Sequence, residues 1–214
     1  MADVKDLKID LFADGANLED IAQLAQNPVI KGFTTNPTLM RKANVRDYKE
    51  FALEALSLIG DRPVSFEVFS DDWQEMESQA REISSWGQNV YVKIPYSNTE
   101  GEFSGEVIHK LSYQGVKLNV TALMTTAQVQ QVANYLDPNN SNFVSVFAGR
   151  IADTGRDPVP VMAEAGGGLD KYPKFGLIWA SPRELLNIYH AESVGCHIIT
   201  ATSDILQKLN LVGK

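Results

Sequence analysis

Cysteine is almost absent from this chain of 214 residues. The single Cys196 excludes an internal disulfide framework and fits a reducing compartment such as the cytoplasm. Histidine is nearly as scarce: His109, His190 and His197, with that one cysteine, offer no zinc-ligand spacing. Long apolar runs are missing too. No stretch approaches the roughly 18 residues needed to cross a bilayer, and residues 1–6 lack the basic-then-apolar layout of a signal peptide. Positive charge is in deficit, with 19 Lys and Arg against 27 Asp and Glu for a net charge of -8. That balance argues against a broad electrostatic footprint on nucleic acid or on a membrane surface. Any anionic ligand must be held by a few local cations.

What is present is ample for a core. Hydrophobic residues make up 44% of the chain and charged ones 21%, as in an ordinary globular domain, and the length fits one domain. Short apolar runs alternate with longer amphipathic ones from end to end. Candidate strands fall at 9–13, 29–34, 64–69, 90–94, 117–122, 142–147, 175–179 and 197–200. Helical patterns lie between them at 18–26, 45–59, 72–86, 100–113, 126–135, 157–164, 183–193 and 203–209. Asp71 or Asp72 can cap the third helix and Thr125 or Thr126 the fifth. Eight strand-helix units without a long linker predict an α/β fold, a single (β/α)8 TIM barrel over 1–214, with loops at 138–141 and 166–174. An open doubly wound sheet is the alternative, but no G-x-G-x-x-G follows the first strand.

Side chains alternate between the two faces of a strand. On the fourth strand Val90, Val92 and Ile94 share the helix-facing side, which turns Lys93 inward. On the third, Phe66 and Val68 face out and Glu67 in; on the first, Leu11 and Ala13 lie opposite Asp14; on the fifth, Val120 and Ala122 lie opposite Asn119 and Thr121. Taken singly, each polar residue is accounted for as a strand end reaching solvent. Five in phase point to the carboxyl-end rim where barrel enzymes keep their chemistry. A buried lysine has a specific use there, because its neutral amine attacks a ketone to form a Schiff base. At a reference pKa of about 10.4 only about one amine in a thousand is neutral near pH 7.5, so an apolar interior that disfavours the cation helps.

Six ordered blocks carry a resemblance: L-F-A-D at 11–14, G-F-T-T-N-P at 32–37, V-K-I-P at 92–95, L-N-V-T-A at 118–122 with Gln128, F-A-G-R-I at 147–151, and A-S-P-R at 180–183. Together, from about residue 9 to 209, they resemble the transaldolase family, in particular its short-chain members, which share the barrel with fructose-6-phosphate aldolase. The resemblance implies that Lys93 is the Schiff-base lysine and that Asp14 is the acid-base residue exchanging a proton with the substrate's C4 hydroxyl. It implies that Glu67 and Thr121 hold a water for proton relay, and that Asn36 and Asn119, with Thr34 beside them, bind substrate hydroxyls. The resemblance gives the phosphate to Arg150 and Arg183, with Ser181 adding a donor, which fits guanidinium forks that take phosphate oxygens in pairs. Position alone makes Arg150 a rim arginine and Arg183 part of a helix start, with Pro182 in its first turn and a helix N-terminus that itself favours an anion. The chain departs from the family pattern at Pro182, where an aromatic is usual, and at Gly15, where a hydroxyl or other small residue often stands.

The same resemblance separates two activities. The transaldolase pattern has a glutamate and a phenylalanine where the aldolase pattern has a glutamine and a tyrosine; this chain has Glu67 and Phe147. The implied reaction moves a dihydroxyacetone unit between sedoheptulose 7-phosphate and glyceraldehyde 3-phosphate, giving erythrose 4-phosphate and fructose 6-phosphate, with no metal and no organic cofactor. The alternatives are an aldolase releasing free dihydroxyacetone from fructose 6-phosphate, and a barrel that binds sugar phosphates without catalysis. The expected partners are sugar phosphates, with neither nucleic acid nor membrane, together with other copies of the chain. Short members commonly form ten-subunit rings, a homo-oligomeric decamer as a dimer of pentamers. The C-terminal segment at 203–211 either reaches a neighbour or caps its own barrel.

Overall fold

Eight parallel strands close on themselves in sequence order, with β8 hydrogen-bonded back to β1. The computed structural model describes residues 6–214, so most of the N-terminal segment read above for a leader layout, residues 1–5, lies outside the described residues. The strands are β1 (Asp10–Asp14), β2 (Ile30–Thr34), β3 (Val64–Glu67), β4 (Val90–Pro95), β5 (Leu118–Leu123), β6 (Asn142–Val146), β7 (Phe175–Trp179) and β8 (Ile198–Thr202). The helices are α1 (Leu18–Ala25), α2 (Pro37–Lys42), α3 (Tyr48–Ile59), α4 (Trp73–Ser84), α5 (Gly105–Tyr113), α6 (Thr126–Tyr135), α7 (Ala148–Asp153), α8 (Pro158–Leu169), α9 (Leu186–Ser193) and α10 (Ser203–Gln207), followed by a 3-10 turn at Lys208–Leu211. The (β/α)8 expectation holds, and each strand run lies within a few residues of its expected bounds.

Strand alternation divides the apolar residues into two cores. Leu11 and Ala13, Val64 and Phe66, Val90, Val92 and Ile94, and Leu118 and Val120 face the helices in one continuous cluster. Phe12, Tyr91, Phe143, Ile178, Ala180 and Ile198 form a separate cluster inside the barrel, with Tyr91 stacked on Phe143 at 3.9 Å and Phe12 edge-on to it. Two glycines make room for those rings: a Cβ on Gly32 would meet the Phe12 ring at 2.4 Å, and one on Gly176 would meet Phe143 at 2.9 Å. This plug fills the barrel below the polar rim.

Helix starts follow side-chain chemistry. Asp72 caps α4, accepting from the Gln74 and Glu75 N–H groups, while Asp71 instead accepts from the backbone and hydroxyl of Thr99. Thr125 caps α6 in a reciprocal box with Gln128, whose side-chain oxygen accepts from the Met124 and Thr125 N–H groups. Along α4, Met76, Ala80 and Ile83 are buried at the spacing of one helix face.

Five sequence expectations need correction. Two short helices, α2 and α7, stand where none was expected; six residues are too few to show a 3.6-residue period. The triple glycine at 166–168 lies inside α8 instead of a loop, because α8 buries Met162, Ala165, Gly166 and Leu169 against the barrel and packing outweighs glycine's low propensity. Helix α9 begins at Leu186, which leaves Arg183 in the preceding loop, where the Asn187 side chain accepts from the Arg183 and Glu184 N–H groups. Helix α5, expected from residue 100, begins at Gly105, past the Ser97–Phe103 bridge. Finally, Ala122 does not continue the outward row of β5. It has φ 65°, the register with β6 shifts there, and Leu123 takes the buried position beside Val146.

Candidate active site

Strand register brings the expected residues together. Glu67 on β3 pairs with Lys93 on β4, Lys93 pairs with Asn119 on β5, and Asp14 on β1 pairs with Thr34 on β2. Above the aromatic plug opens a cavity of about 470 Å³ at the carboxyl ends of the strands. Lys93, Asp14 and Glu67 line it, along with Thr34, Asn36, Phe147, Arg150, Ser181 and Arg183 from the expected set. A larger hollow of about 560 Å³ at the opposite mouth, beside Asp61, Asn89 and Lys117, has no such convergence of chemistry.

Lys93 is 8% exposed. Its Nζ lies 3.4 Å from Glu67 Oε2 and donates to the Thr35 carbonyl at 3.2 Å. Burial pushes the Glu67 carboxyl above its ordinary range, against the pull of the Lys93 charge and hydrogen bond, and Asp14 pushes the same way as burial. Burial likewise raises Asp14, and the Lys93 charge with the Thr34 hydroxyl only partly offsets it. Two carboxylates thus share one cavity with the amine, and burial shifts both upward, which suits groups that must take and return protons.

Asn119 is fully buried behind the lining, its amide donating to Ser65 Oγ at 2.9 Å and its carbonyl oxygen accepting from Ser145 Oγ at 2.7 Å. Thr121 is also buried, and its hydroxyl has no hydrogen-bond partner. Asn36 caps α2, its side-chain oxygen accepting from the Leu39 N–H, with Pro37 at the first helical position.

The rim departs most from the sequence picture. Arg183 does not present a free fork. Its Nε and Nη2 donate to the two carboxylate oxygens of Asp153 at 3.0 and 2.5 Å, and Nη1 donates to the Ser181 carbonyl at 3.0 Å. Hydrogen bonds from Arg183 hold Asp153 below the usual carboxylate range. Arg150 has no ion-pair partner among the described residues, and its guanidinium carbon lies 5.9 Å from the centroid of the Phe147 ring. Arg150 and Arg183 line the same cavity on either side of a tight contact: a Cβ on Gly149 would fall 1.6 Å from the Ser181 carbonyl oxygen, and Ser181 itself has φ 59°. Pro182 is buried in this loop, and a Cβ on Gly15 would meet open space.

Sequence reasoning overlooked Ser145 and Thr200, which also line the cavity. The signal was available: the alternation that turned Lys93 inward puts Phe143 and Ser145 on the inner face of β6, and Ile198 and Thr200 on that of β8. Asp153 was overlooked too, and only the fold shows it opposite Arg183. Among the described residues no cluster of His, Cys, Asp and Glu is arranged to hold a metal ion, and no helix is long and apolar enough to cross a membrane.

Comparison with known proteins places the whole barrel. The family model for transaldolase/fructose-6-phosphate aldolase matches residues 11–214. A protein named "Probable transaldolase" from Dehalococcoides mccartyi is 35% identical over 203 residues, covering 93% of this chain and 89% of that protein. "Probable transaldolase 2" from Listeria monocytogenes is 32% identical over 199 residues, covering 92% and 87%. Among solved structures, dihydrodipicolinate synthase from Rhodopseudomonas palustris superposes with a TM-score of 0.61 at 12% identity, over 95% of this chain and 75% of that one; it shares the barrel.

Proposed function

Because this chain belongs to the transaldolase/fructose-6-phosphate aldolase family, we propose that it is a transaldolase, moving a dihydroxyacetone unit from sedoheptulose 7-phosphate to glyceraldehyde 3-phosphate by way of a Schiff base on Lys93, in the non-oxidative pentose phosphate pathway of the cytoplasm. The observation that carries the reading is a buried lysine 3.4 Å from one carboxylate and in the same cavity as a second.

On this reading Lys93, Asp14, Glu67 and Thr121 divide the chemistry. The neutral Lys93 amine attacks the C2 carbonyl, and the carbinolamine loses water to give the imine, with Glu67 and the otherwise unpartnered Thr121 hydroxyl holding the water that carries protons. Asp14 takes the C4 hydroxyl proton as the C3–C4 bond breaks, and the bonding pair flows into the iminium to leave an enamine. The aldehyde departs. An acceptor aldehyde then meets C3, Asp14 returns its proton to the new alkoxide, and water releases the product ketose from Lys93. Asn36 and Asn119 are assigned to substrate hydroxyls, Asn119 reaching them through Ser145. Arg150, Ser181 and Arg183 are assigned to the phosphate.

The family description names both activities, and Glu67 and Phe147 favour transfer: a phenylalanine carries no hydroxyl to guide a proton to the enamine carbon, so free dihydroxyacetone leaves slowly. Fructose 6-phosphate with borohydride should leave a three-carbon adduct on Lys93, and turnover of fructose 6-phosphate should require an added acceptor such as erythrose 4-phosphate. No adduct would sink the mechanism. Dihydroxyacetone released without acceptor would make the protein an aldolase, and binding without turnover a sugar-phosphate carrier. In association we propose the decamer of the short-chain members. Of the C-terminal segment, Ile205 and Leu206 pack into the chain's own core and Leu211 is 58% exposed.

A further inference from the structure

Three neighbouring strands put three side-chain oxygens in a row. Thr34 Oγ1 on β2 lies 2.7 Å from Asp14 Oδ1 on β1 and 2.5 Å from Thr200 Oγ1 on β8. Thr34 is 2% exposed and Thr200 6%, so both are set into the cavity wall with little surface left to water. The direction of the row follows from proton counting. An ionised carboxylate only accepts, and a hydroxyl has one proton. Thr34 therefore donates to Asp14, and its own oxygen accepts from Thr200. Both residues are β-branched, which restricts rotation about χ1, and sit on strands that each pair with β1.

We propose that Thr200 is a positioning residue for the reaction, fixing the Thr34 hydroxyl as a donor to Asp14 so that the carboxylate keeps one orientation while it exchanges a proton with the substrate. The proposal rests on the assignment of Asp14 as that acid-base group. The row serves both states of Asp14. With Asp14 ionised, protons point from Thr200 through Thr34 to the carboxylate, and each bond polarises the next. With the proton on Oδ1 the row reverses, Asp14 donating to Thr34 and Thr34 to Thr200, and no heavy atom moves. Other charges reach Asp14 as well: Lys93 from β4 and Glu67 from β3, with Lys42, Arg150 and Arg183 on the same cavity wall. None of them shares the row.

The test is the pH profile of kcat/KM in the acceptor-dependent transfer assay, for the wild type, Thr200→Val, Thr200→Ser and Asp14→Asn. Removing the donor that polarises Thr34 disfavours the ionised carboxylate. Thr200→Val should therefore move the midpoint of the acidic limb to higher pH and lower kcat about tenfold, with little change in the KM for fructose 6-phosphate. Thr200→Ser should return the midpoint toward the wild-type value. If Thr200→Val does not fold, Thr200→Ala removes the same hydroxyl and is read in the same way. An unmoved limb, or a change confined to KM, in a background where Asp14→Asn is inactive overturns the proposal alone. Asp14→Asn that keeps both limb and rate overturns the assignment of Asp14, and the role of Thr200 with it.

Discussion

At the scale of single residues, burial sets the behaviour of Asp14. Its folded pKa is raised, chiefly by desolvation, so the stability linked to it is fully present below the unfolded value of about 4 and is lost as pH rises through the folded one. Asp14→Asn does not titrate. The variant and the wild type should melt together near pH 4, and the variant should melt higher at pH 7.5 while losing about 10²–10⁴ in turnover. A lower midpoint at pH 7.5 would contradict this account. Asp153 works in the opposite sense on the substrate side. Paired with Arg183, it leaves the rim formed by Arg150, Arg183 and Asp153 with one net positive charge. Asp153→Asn should lower the KM for a phosphorylated acceptor about threefold at low salt, with the gain fading as salt is added and no change for an unphosphorylated aldehyde. A higher KM would mean that Asp153 serves to orient Arg183.

At the scale of elements, the rim depends on one close approach. Helix α7 starts directly after β6, and Gly149 lets its first turn touch the Ser181 backbone in the loop after β7. Backbone cannot swing aside as a flexible side chain does. Gly149→Ala should destabilise the fold by about 1–3 kcal/mol and, by parting Arg150 from Arg183, raise the KM for phosphorylated substrates much more than for unphosphorylated ones. Urea unfolding and paired kinetics read the two effects; equal changes for both substrates would refute the link. The sequence carried little sign of this element. Phe147 stands at its N-cap with no side-chain hydrogen bond, whereas Asn36 followed by Pro37 is a recognisable start for α2. At Asp72 and Thr125 the start was legible to within one residue, and the hydrogen bonds decided which, whereas α3, capped by Asp47, starts three residues later than its apolar pattern suggested.

At the scale of the whole molecule, stability rests on two cores that touch opposite faces of the same strands. The interior plug of Phe12, Tyr91 and Phe143 also forms the floor on which the site rests. Phe12→Ala should cost about 3–5 kcal/mol in urea unfolding, since Gly32 and Gly176 offer nothing to refill the space. A loss below about 1 kcal/mol would show that the barrel collapses around the gap.

The sequence by itself determined the eight strand-helix units, the inward phase of Lys93, Glu67, Asp14, Asn119 and Thr121, and the family blocks, because period, phase and motif are local properties of a chain. Only the tertiary structure decided that Asn119 lies behind the lining, that Arg183 is taken up by Asp153, and that Thr34 stands between Asp14 and Thr200. Each of those is a meeting of side chains from different elements of the barrel, 20 to 166 residues apart for the Thr34 contacts and 30 for Arg183 with Asp153. Barrel closure brings β8 against β1 and sets that register, and no pattern within one segment encodes it. The deficit of positive charge therefore ends in a narrower requirement than the sequence implied: on the proposed reading a phosphate at this rim would meet Arg150, which has no ion-pair partner among the described residues, and Arg183, whose charge it must share with a carboxylate.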